Sequence, residues 1–179
     1  MRLDQAAMAI RDATEKGIRT YSTGDLARIL QEPRRGPKLT GTITRLVNAG
    51  YLTRVMRGVY IAGGVSDIPP ARRLERLREA IGVFRRHELT IEALETAASQ
   101  HGVVSQYYMR KVSCITTGRS AFIRTPLGEA ELVHTNIDEQ YLRAHSHLAD
   151  TCLLLADSEL TLLSLRNTHR DNTLEIDEE

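Results

Sequence analysis

The 179-residue chain carries 24 Lys+Arg against 23 Asp+Glu, and 41% of its residues are hydrophobic. That composition fits one large globular domain or two small ones, and no apolar run approaches the about 20 residues of a membrane span. Met1 to Lys16 carries acids and lacks an apolar segment, so it does not read as a signal peptide. Cys114 and Cys152 stand alone, without metal-ligand spacing or a disulfide framework, and the expected setting is reducing and cytoplasmic.

The near-neutral total hides a gradient. Residues 1–65 hold 11 Lys+Arg and 5 Asp+Glu, residues 66–133 hold 10 and 8, and residues 134–179 hold 3 and 10. A basic front and an acidic back suit different partners.

In chain order, Leu3, Ala6, Ala7, Ile10 and Ala13 share one face of a first helix, which Gly17 closes. Ser22 and Asp25 have the spacing of a capping box, and Leu26, Ile29 and Leu30 continue a short amphipathic helix. Two prolines and a glycine between Glu32 and Pro37 break it. Leu39, Ile43, Leu46 and Val47 then form the apolar stripe of a second helix from about Lys38, with Gly50 as its C′ residue. Tyr51 to Met56 and Val59 to Ile61 read as strands around an Arg57-Gly58 turn. Two short helices followed by a β-ribbon is the order of a winged helix-turn-helix, whose second helix enters the major groove. The stripe is expected to leave Lys38, Gly41, Thr42 and Arg45 on the opposite side, suited to base edges, thymine methyls and phosphates. Arg54 and Arg57 fall on the wing, and Arg34, Arg35 and Thr40 complete the candidate DNA-contact set. The expected partner is double-stranded DNA.

Gly63 to Pro70 is the predicted boundary, giving a DNA-binding domain over 1–65 and a small α+β domain over 66–179. Beyond it, Ala71 to Arg86 reads as a helix with Leu74, Leu77, Ile81 and Phe84 inward and Arg72, Arg73, Arg76 and Arg78 outward. A helix is predicted over Thr90–Gln100, strands over Tyr107–Thr116, Ala121–Thr125 and Glu129–His134, and helices over 138–155 and 158–166. The strands are expected to form a small antiparallel sheet flanked by helices.

The search for chemistry yields no phosphate loop, nucleophile elbow or zinc-protease motif. His145 and His147 on a helix would point apart rather than share a metal with Asp150. Glu129 and Glu131 could suggest a nuclease acid pair, but no lysine follows them closely, and they read as solvent-facing strand carboxylates. Thr116 to Ser120 reads as a hairpin turn rather than a phosphate nest. No enzyme, cofactor or metal is expected.

The stretch from Tyr21 to Leu30 and from Leu39 to Gly64, with Arg54 and the Arg57-Gly58-Val59-Tyr60 wing, resembles the N-terminal winged helix of AbiEi-type antitoxins. Residues 93–135 are similar, more loosely, to the domain that follows it in short AbiEi-like proteins. The resemblance implies a component of a type IV toxin–antitoxin pair. Its N-terminal domain would repress its own promoter, and its C-terminal domain would counteract a nucleotidyltransferase-like toxin. The alternative is a free-standing regulator whose second domain senses a small ligand.

Overall fold

A computed structural model describes residues 1–102, 110–149 and 152–170. The fold is mixed α+β with two sheets. The first half runs α1 (Leu3–Glu15), β1 (Thr20–Ser22), α2 (Thr23–Ile29), α3 (Pro37–Asn48), β2 (Leu52–Met56) and β3 (Val59–Ala62). Its three strands form an antiparallel sheet in the order β1-β3-β2.

Local chemistry explains these boundaries. Ser22 Oγ accepts from the Asp25 N–H at 3.1 Å, and Asp25 returns the bond to the Ser22 N–H at 2.8 Å, so the capping box closes α2. Pro37 stands at the first turn of α3, where its missing N–H costs nothing. Gly50 adopts φ +77° after α3, while Tyr51 N–H reaches back to Leu46 O at 2.9 Å, a Schellman-type stop. Gly58 takes φ +75° in the tight turn between β2 and β3, a conformation that favours glycine. β1 was not predicted; three residues are too few to show a period.

The second half runs α4 (Arg73–Phe84), β4 (Thr90–Glu92), α5 (Leu94–Gln100), β5 (Lys111–Thr116), β6 (Ala121–Thr125), β7 (Gly128–His134), α6 (Glu139–Ala144), β8 (Ser146–Leu148), β9 (Leu154–Ala156) and α7 (Ser158–Asn167). Its six strands form one sheet ordered β6-β7-β5-β4-β9-β8. The sheet is mixed rather than antiparallel, because β5 and β7 run parallel, as do β4 and β9.

Three further expectations are corrected. The predicted helix from Thr90 begins instead as β4, all three of whose residues are buried, and Leu94 at φ +55° turns the chain into α5. The predicted helix over 138–155 is α6 followed by the short strands β8 and β9. Residues 117–120 are not a hairpin turn, since β7 lies between β5 and β6; the hairpin is β6–β7, closed by Pro126 and Leu127. The predicted strand start, Tyr107 to Met109, lies outside the described residues.

Three hydrophobic clusters hold the fold. One joins α1, α2 and α3 to Tyr21 and Leu52. A second places α5, α6 and α7 over Ile91, Ile115 and Leu155. The third crosses the 65/66 position: Val55, Met56, Val59 and Ile61 of the hairpin pack with Leu77, Ala80 and Ile81 of α4 and with Val112, Cys114, Ala130 and Leu132 of the second sheet. A register irregularity between Arg54 and Met56 lets Val55 and Met56 both turn inward, where strict alternation would expose one.

Candidate nucleic-acid interface

α3 displays Lys38, Thr40, Gly41, Thr44, Arg45 and Asn48 to solvent, and the preceding connection displays Arg34 and Arg35. Arg54 and Arg57 are exposed on the hairpin. Among the described residues, none of the six cations Arg34, Arg35, Lys38, Arg45, Arg54 and Arg57 pairs with a carboxylate. Arg76, Arg78, Arg85, Arg86 and Arg170 all do. Arg45 lies back along its own helix, donating to Thr42 Oγ1 at 3.1 Å and to Gly41 O and Met1 O at 3.4 Å. These contacts are weak enough to exchange for a stronger anionic acceptor.

Thr42 is a correction. It is 2% exposed, in the core beneath α3. It follows Leu39 by three and precedes Leu46 by four, so it shares their stripe. Sequence reasoning missed Thr44 and Asn48, although Gly41, Thr44, Arg45 and Asn48 fall on one helical arc.

A cleft of about 870 Å³ lies between α2, the α2–α3 connection, the β2–β3 turn and the end of α4. Arg28, Arg34, Arg57 and Arg86 bring positive charge to its walls. Two of these arginines share Asp25 of α2: Arg86 donates to it at 2.7 and 3.3 Å, and Arg28 pairs with the same carboxylate. Burial works against ionising Asp25, but the bonds from Arg86, Ser22 and Arg28 outweigh it and hold the carboxyl far below the usual range. Arg86 therefore reaches across from the second half to brace the cap of α2. Thr20 does the reverse, donating to Glu79 of α4 at 2.7 Å.

The predicted outward arginines of α4 are partly corrected. Arg72 is exposed. Arg78 is buried and donates twice to Glu92, at 2.7 and 2.6 Å, while Arg76 pairs with Glu79. An arginine on an apolar-flanked helix can turn inward when a strand opposite supplies a buried carboxylate, which periodicity alone does not reveal.

Elsewhere the titratable groups are internally matched. Glu131 is not solvent-facing. Its carboxylate accepts from Arg170 at 2.6 Å and from Lys111 at 2.9 Å, a lysine remote in sequence that the parallel β5–β7 pairing brings alongside. The Arg170 bond, helped by Lys111, outweighs burial and holds the carboxyl down to about 2. Glu95 joins this group through Arg170 at 3.0 Å. Glu129 is half-buried and pairs with the exposed Arg124 at 3.5 Å. His145 sits at the C-terminal end of α6, stacked on Tyr141 at 4.1 Å and bonded to Asp157 at 2.9 Å; His147 is on β8, and Asp150 lies outside the described residues. Among the described residues, no three His, Cys, Asp or Glu side chains converge as a metal site, and no helix is long and apolar enough to cross a membrane. No family model and no curated protein matches this chain.

Proposed function

We propose that this protein is a DNA-binding transcriptional repressor of the winged helix-turn-helix type, with α3 as the recognition helix and the β2–β3 hairpin as the wing. The observation that carries this reading is the set of six cations on α3, the connection before it and the hairpin, none of them engaged by a carboxylate among the described residues. Guanidinium and ammonium groups held this way are free to neutralise phosphates and release counterions. Lys38, Thr40, Thr44 and Arg45 supply donors and a methyl for base edges in the major groove. Arg34, Arg35, Arg54 and Arg57 flank them as backbone contacts. The resemblance to AbiEi-type antitoxins adds the proposal that the DNA is the chain's own promoter and that the second half counteracts a nucleotidyltransferase-like toxin.

The test is binding of the full chain to the DNA upstream of its own coding sequence, against a scrambled duplex, over a salt series. Arg45→Ala should cost about 1–3 kcal/mol on the operator and relax discrimination at one position. Arg57→Ala should weaken every duplex alike and reduce the salt slope by about one. Equal affinity for operator and scrambled DNA, with Arg45→Ala unchanged, would exclude sequence-specific reading by α3. The antitoxin part is tested by co-expression with a growth-arresting nucleotidyltransferase-like toxin of the type IV class, where the full chain should restore growth and its failure to do so would remove this part of the proposal.

A further inference from the structure

β6 ends the six-stranded sheet, and among the described residues no strand is hydrogen-bonded to its far side; the β2–β3 hairpin packs against Ala121 and Ile123 without pairing with them. The direction of its backbone groups follows from β7. Glu129 N–H donates to Arg110 O at 2.7 Å, toward β5, so the odd-numbered backbone groups of β7 face β5 and the even-numbered ones face β6. His134 N–H, an even position, accordingly reaches Ser120 Oγ on the β6 side at 2.8 Å. Gly128, Ala130 and Leu132 oppose Thr125, Ile123 and Ala121, which must therefore be the inward-bonded residues of β6. The N–H and C=O groups of Phe122 and Arg124 are left pointing to the open edge.

We infer that two copies of this chain associate through β6, antiparallel and centred on Ile123, to form one continuous twelve-stranded sheet. Only this centring pairs every outward group. Phe122 exchanges two hydrogen bonds with Arg124 of the other copy, and Arg124 exchanges two with its Phe122. A shift by one residue would set outward groups against inward ones.

The side chains match in the same register. Phe122 is 54% exposed, unusual for a large aromatic on a strand, and the Arg124 side chain is 83% exposed. Arg124 already lies over the Phe122 ring of its own strand at 5.8 Å. In the pair, each ring also gains the other copy's guanidinium as its cross-strand neighbour, a cation–π contact made twice by symmetry. The edge carries no bulge, no proline before Pro126 and no inward-pointing charge; its protective features are its five-residue length and Arg124, whose charge the antiparallel register sets over an aromatic ring rather than against a like charge. Five residues a side bury less than the standard interface of about 1,600 Å², so the association belongs to the weak, concentration-dependent class. It does not depend on what α3 binds.

Sedimentation equilibrium of the full chain at about 10–200 micromolar reads this directly. The 20.1 kDa chain should shift toward twice its mass as concentration rises. Phe122→Lys sets like charges opposite Arg124 and should abolish the shift. Arg124→Pro removes one outward donor and no backbone hydrogen bond to β7, at the cost only of the solvent-exposed ion pair with Glu129, and should abolish it too, with circular dichroism unchanged. Should Arg124→Pro misfold, Phe122→Lys alone decides. In a Cys152→Ser background, oxidised Ile123→Cys should form a symmetric disulfide and Thr125→Cys should not, because only position 123 opposes itself. A monomer throughout the range, a dimer indifferent to Phe122→Lys, or a dimer in which Ile123→Cys fails to crosslink would each overturn the proposal.

Discussion

Thr42 and Thr44 stand two positions apart on α3 and meet opposite surroundings. Thr42 is enclosed between Leu39 and Leu46, whereas Thr44 is exposed and spends its hydroxyl on Thr40 O at 2.9 Å. Thr42→Val keeps the shape and gives up one hydrogen bond from Arg45, at 3.1 Å. It should change affinity for operator DNA less than about twofold, well below the 1–3 kcal/mol of a lost base contact. Thr44→Ala should reduce affinity more than Thr42→Val, measured on the same duplex by fluorescence anisotropy. The reverse order would mean that the outward arc of α3 is not the reading face. A second prediction at this scale concerns Glu131. Its folded carboxyl is held down to about 2 by Arg170 and Lys111, below the unfolded value near 4.3. A depressed folded value contributes stability that is complete above the unfolded value and is lost as pH falls through the folded one. Melting temperature should therefore fall between about pH 5 and pH 2, and Glu131→Gln should start lower at pH 7 and fall less over that window. Parallel profiles for the two proteins would show that Glu131 does not carry this loss.

At the scale of elements, what the sequence disclosed depended on how much information each segment held locally. α1, α2, α3 and the β2–β3 hairpin were legible because a cap, a helix breaker, an apolar stripe and a glycine turn agreed over some forty residues. Of the eight candidate contacts, seven are exposed; Thr42 failed because its small polar side chain was assigned by type, though its spacing put it inside. β4 was misread because Thr90-Ile91-Glu92 is buried on every side and leads into a helix, leaving neither alternation nor a break. The parallel pairing of β5 and β7 was illegible: strand order is set by which faces can be buried together. The same holds for Arg78 and Glu92, fourteen residues apart and joined only by the packing of α4 on the sheet. Removing one member leaves a buried charge. Arg78→Met should cost about 3–5 kcal/mol by urea unfolding, and Arg78→Met with Glu92→Met should recover most of it. A single variant costing under about 1 kcal/mol would show that water reaches the pair.

At the scale of the whole molecule, the hairpin is shared. Leu52 belongs to the core beneath α3, while Val55, Met56, Val59 and Ile61 close the core between α4 and the second sheet. The Arg86–Asp25 and Thr20–Glu79 contacts tie the same two halves at their surface. Heat should therefore unfold the chain in a single transition. Ile61→Ala should lower its stability by about 2–4 kcal/mol, and hydrogen-exchange protection should fall together in α3 and in β5. Loss confined to the first 65 residues would show that the halves unfold separately.

The double duty of the hairpin also bears on how such a chain can change over generations. Splicing a foreign first half onto residue 66 would import a ribbon whose inner side chains had never met α4 or the second sheet, and most such hybrids would begin with a poorly fitting core. Substitution on the outward arc of α3 meets no such barrier. Among the described residues, the hydrogen bonds of Thr40, Thr44 and Arg45 all stay within the first half. New binding preferences in descendants of this protein should accumulate by point changes on that arc, while the inner hairpin and α4 drift only as a matched pair.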